Sequence, residues 1–415
     1  MFALAALNNW YITALDVKSA FLYGKLDEEI YMEQPEGFKI KGLEHKVLRL
    51  QRSIYGLKQS ALSWWKALHE SMKKLGFVPL SSDAGIFIRR QGSTYVIVYV
   101  DDSLFLGPNK DVVDKAKADF MKMWECTDLG EPKEFLRMRV KRKGCKIYLD
   151  QSPYLHRILK RFNMSDAKAA RTPLPAGYFP QPNKEEASPA LRSRYQTVIG
   201  SLLYLMLGTR PDIAYAVTKL SQHCTNPSQE HLDKALYICR YLAGTKDYSL
   251  IYDGDSEKGI LAYTDSDWGS DPTSCKSQTG YFIKLANGIF SWNSHAQKTV
   301  ALSSTEAEYM ALSDCSRQVV WIKSLLAEMG IPLQALPICA DNQGSIFIGS
   351  NPVQEHRSKH IDICYHYVRE CIENGKVEIS FIDGNDNPAD MFTKNLGHIK
   401  FLCFRELLGL KFYPS

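Results

Sequence analysis

Six consecutive apolar residues, Tyr95-Val96-Ile97-Val98-Tyr99-Val100, run directly into two adjacent carboxylates, Asp101 and Asp102, and Leu104-Phe105-Leu106 then turn apolar again. The pattern predicts two buried strands joined by a tight turn, with paired acids at its tip. Neighbouring carboxylates repel and resist desolvation, so a fold that holds them beside apolar strands supplies a counter-charge, most often a divalent metal. A solvated hairpin tip fits the same residues, because Asp is common in turns. Features elsewhere in the chain separate the two readings.

The 415 residues suffice for two or three domains with real cores, and 45% hydrophobic with 23% charged is the composition of a globular chain. No stretch approaches the roughly 18 uninterrupted apolar residues of a membrane span, and the N-terminus lacks the basic flank and cleavage site of a signal peptide. The expectation is an intracellular protein with no membrane segment. Its 10 cysteines form no CxxC pair, which predicts reduced thiols rather than a zinc ribbon or a disulfide scaffold. The net charge of +5 is modest but uneven, since Arg137, Arg139, Lys141, Arg142, Lys143 and Lys146 crowd one segment. Interleaved with Met138 and Val140, they read as a strand with one cationic side, suited either to solvent or to a phosphate backbone.

Strands and helices alternate over residues 1–124, including a helix over 60–75 whose Trp64, Leu68, Met72 and Leu75 recur at core spacing. Strands around Gly144, a short helix over 153–162 and a Pro-rich linker starting at Thr172-Pro173 follow. A helical segment over 195–241 is punctuated at Pro211 and Pro227 and closed by Gly244. From Gly259 the order is strand, hairpin, long helix (305–329), strand, helix, strand, helix, which makes a mixed sheet with helices on its faces.

Ile12-Thr13-Ala14-Leu15-Asp16-Val17 is another apolar strand ending in an acid. A third carboxylate beside Asp101 and Asp102 would complete a two-metal pocket for phosphoryl transfer. Leu15-Asp16-Val17-Lys18-Ser19-Ala20-Phe21-Leu22-Tyr23-Gly24, Tyr31-Met32-Glu33-Gln34-Pro35-Glu36-Gly37-Phe38, Tyr55-Gly56-Leu57-Lys58-Gln59 and Tyr99-Val100-Asp101-Asp102 together resemble a copia-type retrotransposon reverse transcriptase. The resemblance implies a polymerase palm with Asp16, Asp101 and Asp102 as catalytic metal ligands. Phe21 looks like the gate against a ribose 2′-hydroxyl, and Tyr55, Gly56, Lys58, Gln59, Tyr99 and Val100 look like nucleotide-site residues. Read from pattern alone, Gly56 is a turn glycine.

In the second half, Tyr263-Thr264-Asp265-Ser266-Asp267-Trp268 ends a strand, Glu306 opens a helix, Asp341 ends another strand and Asp390 opens the last helix. Acids at such element ends lie along one rim of a sheet, where a metal pair could activate water. Ser303-Ser304-Thr305-Glu306 also has capping-box spacing. The series Thr264-Asp265-Ser266-Asp267-Trp268-Gly269, Ala301-Leu302-Ser303-Ser304-Thr305-Glu306-Ala307-Glu308-Tyr309, Ala340-Asp341-Asn342-Gln343 and Asn387-Pro388-Ala389-Asp390 is similar to the ribonuclease H domain of the same family. That resemblance implies Asp265, Glu306, Asp341 and Asp390 as the catalytic metal set, with Asp267 and Glu308 as bystanders.

His356, His360, Cys364 and His366 invite a zinc reading, but His366 lies two residues from Cys364 and so faces away from it on a helix. By resemblance Arg357 and Lys359, like Arg137, Arg139, Lys141, Arg142 and Lys143, are nucleic-acid contacts. The implied fold class is α+β / α/β, a reverse-transcriptase palm with truncated fingers and a connection region, followed by a ribonuclease H-like mixed-sheet domain. The expected boundaries are 1–125 palm, 126–171 thumb-like basic region, 172–190 linker, 191–255 helical connection, 256–397 nuclease and 398–415 tail.

The implied cofactor is Mg2+, two per active site, with Mn2+ as a substitute. The implied partners are an RNA template, a DNA primer, an RNA–DNA hybrid and dNTP. The family's fingers precede its first catalytic Asp, and here fifteen residues do so, so polymerisation is expected to need fingers from a partner chain or a homo-oligomer. The family lives in cytoplasmic virus-like particles, with a nuclear stage open. Local departures are Leu62 where Arg is favoured and Arg137 where Gly is usual, and Asp383-Gly384-Asn385-Asp386 lacks the histidine that many ribonucleases H carry there. The alternative reading is an inactive retrotransposon remnant that binds nucleic acid.

Overall fold

In a computed structural model, residues 1–256, 259–350 and 359–413 are described, the side chains of 347–350 and 359–365 excepted. They form two compact units, one of Asn9–Pro132 with Glu328–Gly330 and one of Met1–Asn8, Lys133–Ala327 and Ile331–Ser415.

The first unit is built on a six-stranded antiparallel sheet in the order Val78–Pro79, Ile86–Arg89, Thr94–Tyr99, Asp102–Gly107, Tyr11–Val17, Cys126–Gly130. Strand alternation sends Leu15, Val17, Val96 and Phe105 to the face on which the helices Ser60–Lys74 and Lys110–Met121 pack Trp64, Leu68, Met72, Val113, Ala116 and Phe120. Each of the larger of these side chains contributes about 1.5–3 kcal/mol by leaving water. The predicted acid-tipped hairpin is present. Its turn residue Val100 has φ 58, a left-handed conformation disfavoured for a β-branched side chain, and the Trp64 indole donates to the Val100 carbonyl at 2.8 Å.

The second unit holds two five-stranded sheets. One is antiparallel, in the order Leu410–Phe412, Tyr248–Asp253, Lys146–Asp150, Met138–Lys143, Glu134–Phe135. It joins residues from the expected thumb-like region, helical connection and tail, so the boundaries at 171, 190, 255 and 397 do not separate compact units. Residues 172–188 form no helix or strand, yet Thr172, Leu174 and Ala187 are buried and the Asn183 amide donates to the Pro227 carbonyl at 2.9 Å. The expected linker is a packed strap, because its backbone groups and apolar side chains find partners on the helices beside it.

Those helices are Pro189–Gly208, Ala214–Ser221 and Gln229–Ala243, and they centre on a buried polar network. Arg210, 2% exposed, pairs with both oxygens of Asp212 at 3.0 and 2.8 Å and donates to the Thr245 carbonyl and hydroxyl. The Tyr241 hydroxyl donates to Asp212 at 2.5 Å, and Arg405 of the helix His398–Leu407 donates to Tyr241 at 3.1 Å.

Close by in sequence, His223 stacks on His231 with ring centroids 4.1 Å apart. Burial, then the neighbouring His231, lowers the His223 pKa from 6.5 to about 4. The unfolded chain therefore takes up a proton that the folded chain refuses, so stability is full above pH 6.5 and falls as the pH drops toward 4. Between pH 7 and pH 5, denaturant titration of the parent should show a loss about 1 kcal/mol larger than that of His223→Phe, half of what the full shift would give, because the half-buried ring is partly screened by solvent.

The second sheet runs Gly288–Ala296, Gln278–Leu285, Leu261–Asp267, Leu336–Ala340, Val377–Phe381, antiparallel across the first three strands and parallel thereafter. The helix Ser304–Glu328 is the long helix expected from sequence, and the mixed order of the sheet is also as expected. One element differs: Asp390 lies in a 3₁₀ turn, Pro388–Phe392, and the last helix begins at His398. Asn387 starts that turn by accepting from the Ala389 amide at 3.1 Å while donating to the Thr264 carbonyl at 2.9 Å. Gly280, opposite Asp265, leaves room for it, since a Cβ there would meet Phe392 Cβ and Thr393 Cγ2 at 2.7 Å. Among the described residues no helix is long and apolar enough to cross a membrane.

Candidate active sites

The first site lies at the tip of the palm hairpin. Asp16 and Asp102 are direct cross-strand partners, so their side chains share one face of the sheet, and the Val17 amide donates to the Asp101 carbonyl at 2.9 Å. Like charges placed opposite each other are a cost to a sheet, and a cation between them would relieve it. Phe21 meets Tyr55 edge to face at 4.8 Å, and the Tyr55 phenol is raised first by burial and then by the charges of Asp101 and Asp16. Phe21 and Tyr55 therefore sit beside the acids. Gly56 has φ +96 with open space around the missing Cβ, so its backbone conformation rather than crowding calls for glycine. Tyr99 is exposed and Val100 half-buried beside the acids. Lys58 is exposed just before the helix Ser60–Lys74, and the Gln59 amide approaches Glu28 at 3.5 Å.

The second site is gathered more tightly. Oxygens of Asp265, Asp341 and Asp390 all lie within 4.8 Å of one another, brought together by one strand, the end of the parallel strand beside it and the Pro388–Phe392 turn. The palm acids do not form so close a set among the described residues. Burial raises the Asp265 pKa to about 7; the Lys394 ammonium and the Thr393 hydroxyl counter the rise, while Asp390 and Asp341 add to it. Asp341 is raised by burial and by Asp390, against a hydrogen bond from Asn387.

The fourth acid differs from the sequence expectation. Glu306 turns back to the start of its own helix, where its carboxylate accepts from the Leu302 amide at 2.9 Å and its amide donates to the Ser303 hydroxyl at 3.2 Å. It is the cap that its spacing allowed. Glu308, expected to be a bystander, accepts from the Ser266 amide at 3.2 Å, and burial followed by the charges of Asp265 and Asp341 pushes its pKa well up. Its other oxygen, Oε2, is buried with no hydrogen-bond partner. The signal for this was in the helix itself, because residues two apart do not share a face and capping spacing already assigned Glu306.

Two lysines went unnoticed in the sequence. Lys394 Nζ lies 2.7 Å from Asp390 Oδ1 and 3.6 Å from Asp265 Oδ2, and Lys400 Nζ lies 2.7 Å from Asp390 Oδ2. Burial works against the Lys394 ammonium, but Asp265, Asp390 and Asp267 raise its pKa above the ordinary lysine value. The motif spacing centred on acids gave them no weight, although Lys394 follows Asp390 by four residues.

The basic strand is less available than its charge suggested. Arg139 is committed to Asp150, which is 1% exposed, through Nε contacts of 3.0 and 2.9 Å, and donates to Ser152 at 3.3 Å. A buried carboxylate claims it, so it is a structural ion pair rather than a free phosphate contact. Lys141 lies over the Tyr413 ring at 5.2 Å, Arg142 donates to the Gly144 carbonyl at 3.1 Å, and Arg137 and Lys143 are exposed. Arg357 lies outside the described residues, as does His356, and so do the side chains of Lys359, His360 and Cys364.

Arg137 has φ 61, in the left-handed region that favours glycine. Arg137→Gly should therefore stabilise the protein by about 1 kcal/mol, seen as a Tm increase of a few degrees.

Comparison with known proteins gives this geometry its setting. A model described as "Reverse transcriptase (RNA-dependent DNA polymerase)" matches residues 1–176. The chain is 39% identical over 419 residues to the "Retrovirus-related Pol polyprotein from transposon TNT 1-94" of Nicotiana tabacum, covering 98% of this chain and 31% of that one. It is also 32% identical over 311 residues to a transposon Ty5-1 protein of Saccharomyces cerevisiae, covering 74% of this chain and 100% of that one. The chain belongs to the copia-type retrotransposon Pol family. Members of this Pol family carry a reverse transcriptase, and the resemblance read from the motifs stands. The chain spans 31% of the length of the tobacco relative. A foamy viral protease-reverse transcriptase solved with an RNA/DNA hybrid has the same fold, at TM-score 0.51 and 11% identity over 90% of this chain and 44% of that one.

Proposed function

We propose that this part of a retrotransposon Pol polyprotein acts as an RNA-directed DNA polymerase and ribonuclease H, with the nuclease reaction the better supported. The observation that carries the nuclease reading is the convergence of Asp265, Asp341 and Asp390 within 4.8 Å, with the partnerless Oε2 of Glu308 belonging to a carboxyl that senses the charges of Asp265 and Asp341. Hard carboxylate oxygens in one buried cluster are a donor set for Mg2+, and Mn2+ suits the same ligands. Asp265, Asp341, Asp390 and Glu308 would hold the metal, which when bound polarises a phosphodiester and activates water.

The chain's own groups prepare that chemistry. The Thr393 hydroxyl donates to Asp265, and Asn387 ties the turn bearing Asp390 to the strand bearing Asp265. In the palm, Asp16, Asp101 and Asp102 would hold metal for joining a primer 3′-hydroxyl to a dNTP. Phe21 packed on Tyr55 supports a steric check at the sugar, and exposed Tyr99, two residues before Asp101, fits a place in the nucleotide site. The partners in this reading are an RNA template, a DNA primer, dNTP and the RNA–DNA hybrid that copying produces, and the setting is a cytoplasmic particle.

The test is a hybrid with labelled RNA incubated in Mg2+. The parent should cut the RNA strand, and Asp341→Asn should cut on the order of a thousandfold more slowly while melting at the parent temperature. An uncut hybrid, or an Asp341→Asn variant that cuts like the parent, sinks the nuclease reading and leaves an inactive binder.

A further inference from the structure

Both oxygens of Asp390 face ammonium groups at 2.7 Å: Lys394 forms an ion pair with Oδ1 without hydrogen-bond geometry, and Lys400 donates a hydrogen bond to Oδ2. Lys394 also reaches Asp265 at 3.6 Å, so it bridges two of the three clustered acids, whereas Lys400 turns its remaining donors toward the Gly384 carbonyl at 3.4 Å. The acids are sealed, with side chains 2% and 3% exposed, but the two lysine side chains are 40% and 34% exposed. A divalent cation binds carboxylate oxygen at about 2.0–2.1 Å and cannot share the space between Asp265 and Asp390 with an ammonium already there.

We propose that Lys394 is a resident counter-cation of the nuclease site, which holds Asp265 and Asp390 in position when no divalent cation is present and swings into solvent when one enters. The inference rests on the nuclease reading above. A lysine suits the role because its ammonium is a compact charge on a flexible four-carbon stem, free to leave without moving the backbone. Lys400 stays in place, anchored by Gly384 and packed over the Phe404 ring at 5.1 Å. Lys394 is thus a positioning residue: it keeps mutually repelling acids gathered, and it sets the divalent concentration at which the site fills, since the entering ion must displace it.

The experiment uses the full chain. Lysines are acylated with an amine-reactive acetyl ester, with and without Mg2+, and modification is quantified residue by residue by mass spectrometry, with exposed Lys122 as the internal reference. Calorimetric titration with Mn2+ is run on the parent, Lys394→Gln and Lys400→Gln.

The expected result is a several-fold rise in Lys394 acylation on adding Mg2+, with Lys400 and Lys122 unchanged, and Mn2+ binding about tenfold tighter in Lys394→Gln than in the parent. Unchanged Lys394 reactivity in a protein that binds metal overturns the proposal, as does a folded Lys394→Gln variant that binds Mn2+ no more tightly. The acylation measurement is made on the parent protein and stands whether or not the variant folds. A parent that binds no Mn2+ at all overturns the metal site itself and this inference with it.

Discussion

Glu308→Gln should lower cleavage of the RNA strand in a hybrid by on the order of a hundredfold, whereas Glu306→Ala should leave the rate within a few-fold of the parent. The two residues are two positions apart on one helix, each with one oxygen on a backbone amide and the other buried without a hydrogen-bond partner. What sets Glu308 apart is its response to the charges of Asp265 and Asp341. Glu308 has one oxygen on the Ser266 amide and the other buried without a partner, and its pKa responds to Asp265 and Asp341. Glutamine at 308 keeps the shape and the acceptor for Ser266 but removes the charge that would neutralise a divalent cation. Glu306 accepts from the Leu302 amide, so its loss costs helix stability of about 1 kcal/mol, seen in melting and not in turnover. A hybrid-cleavage assay beside a thermal melt separates the two, and the reverse pattern would return Glu306 to the active site.

The second large effect is on stability. Asp212→Ala leaves the Arg210 guanidinium buried without its carboxylate and removes the acceptor of the Tyr241 hydroxyl. Breaking a buried pair from one side costs about 3–5 kcal/mol, because the remaining charge is uncompensated. Arg210 keeps its bonds to Thr245, so the lower part of that range is expected. Denaturant titration reads the loss directly, and a change under 1 kcal/mol, about the size of a surface substitution, would mean that the network does not hold the helices together.

Much of this architecture was legible in the sequence, and the exceptions share a physical cause. The hairpin around Asp101 and Asp102, the helix Ser60–Lys74 and the strand Leu336–Ala340 announce themselves because their signal is local periodicity. Asp265, Asp341 and Asp390 converge in the structure, as acids at strand ends and motif spacing together suggested. Glu306 and Glu308 share one motif, and the capping spacing that the sequence also offered is what places Glu306 at the start of its helix, away from the three acids. Lys394 and Lys400 were invisible because their partner acids are neighbours through a turn rather than a regular element. Arg139 looked free until Asp150, eleven residues on and in the paired strand, claimed it. The domain boundaries went astray for a related reason: strand pairing between residues a hundred positions apart leaves no trace in composition.

That long-range pairing bears on how such elements exchange parts. The strand Leu410–Phe412 lies against Tyr248–Asp253, which in turn pairs with Lys146–Asp150. A recombination breakpoint near residue 255 would graft a nuclease whose final strand must find its neighbour in a foreign chain, with Arg405 reaching for a Tyr241 in unfamiliar surroundings. A crossover between Pro132 and Lys133 carries the whole antiparallel sheet in one piece and parts it only from Met1–Asn8, which includes the short helix Phe2–Leu7. Chimaeras between related elements that keep residues 133–415 together should therefore fold more readily than those cut near residue 255, a difference that soluble yield and melting temperature would read.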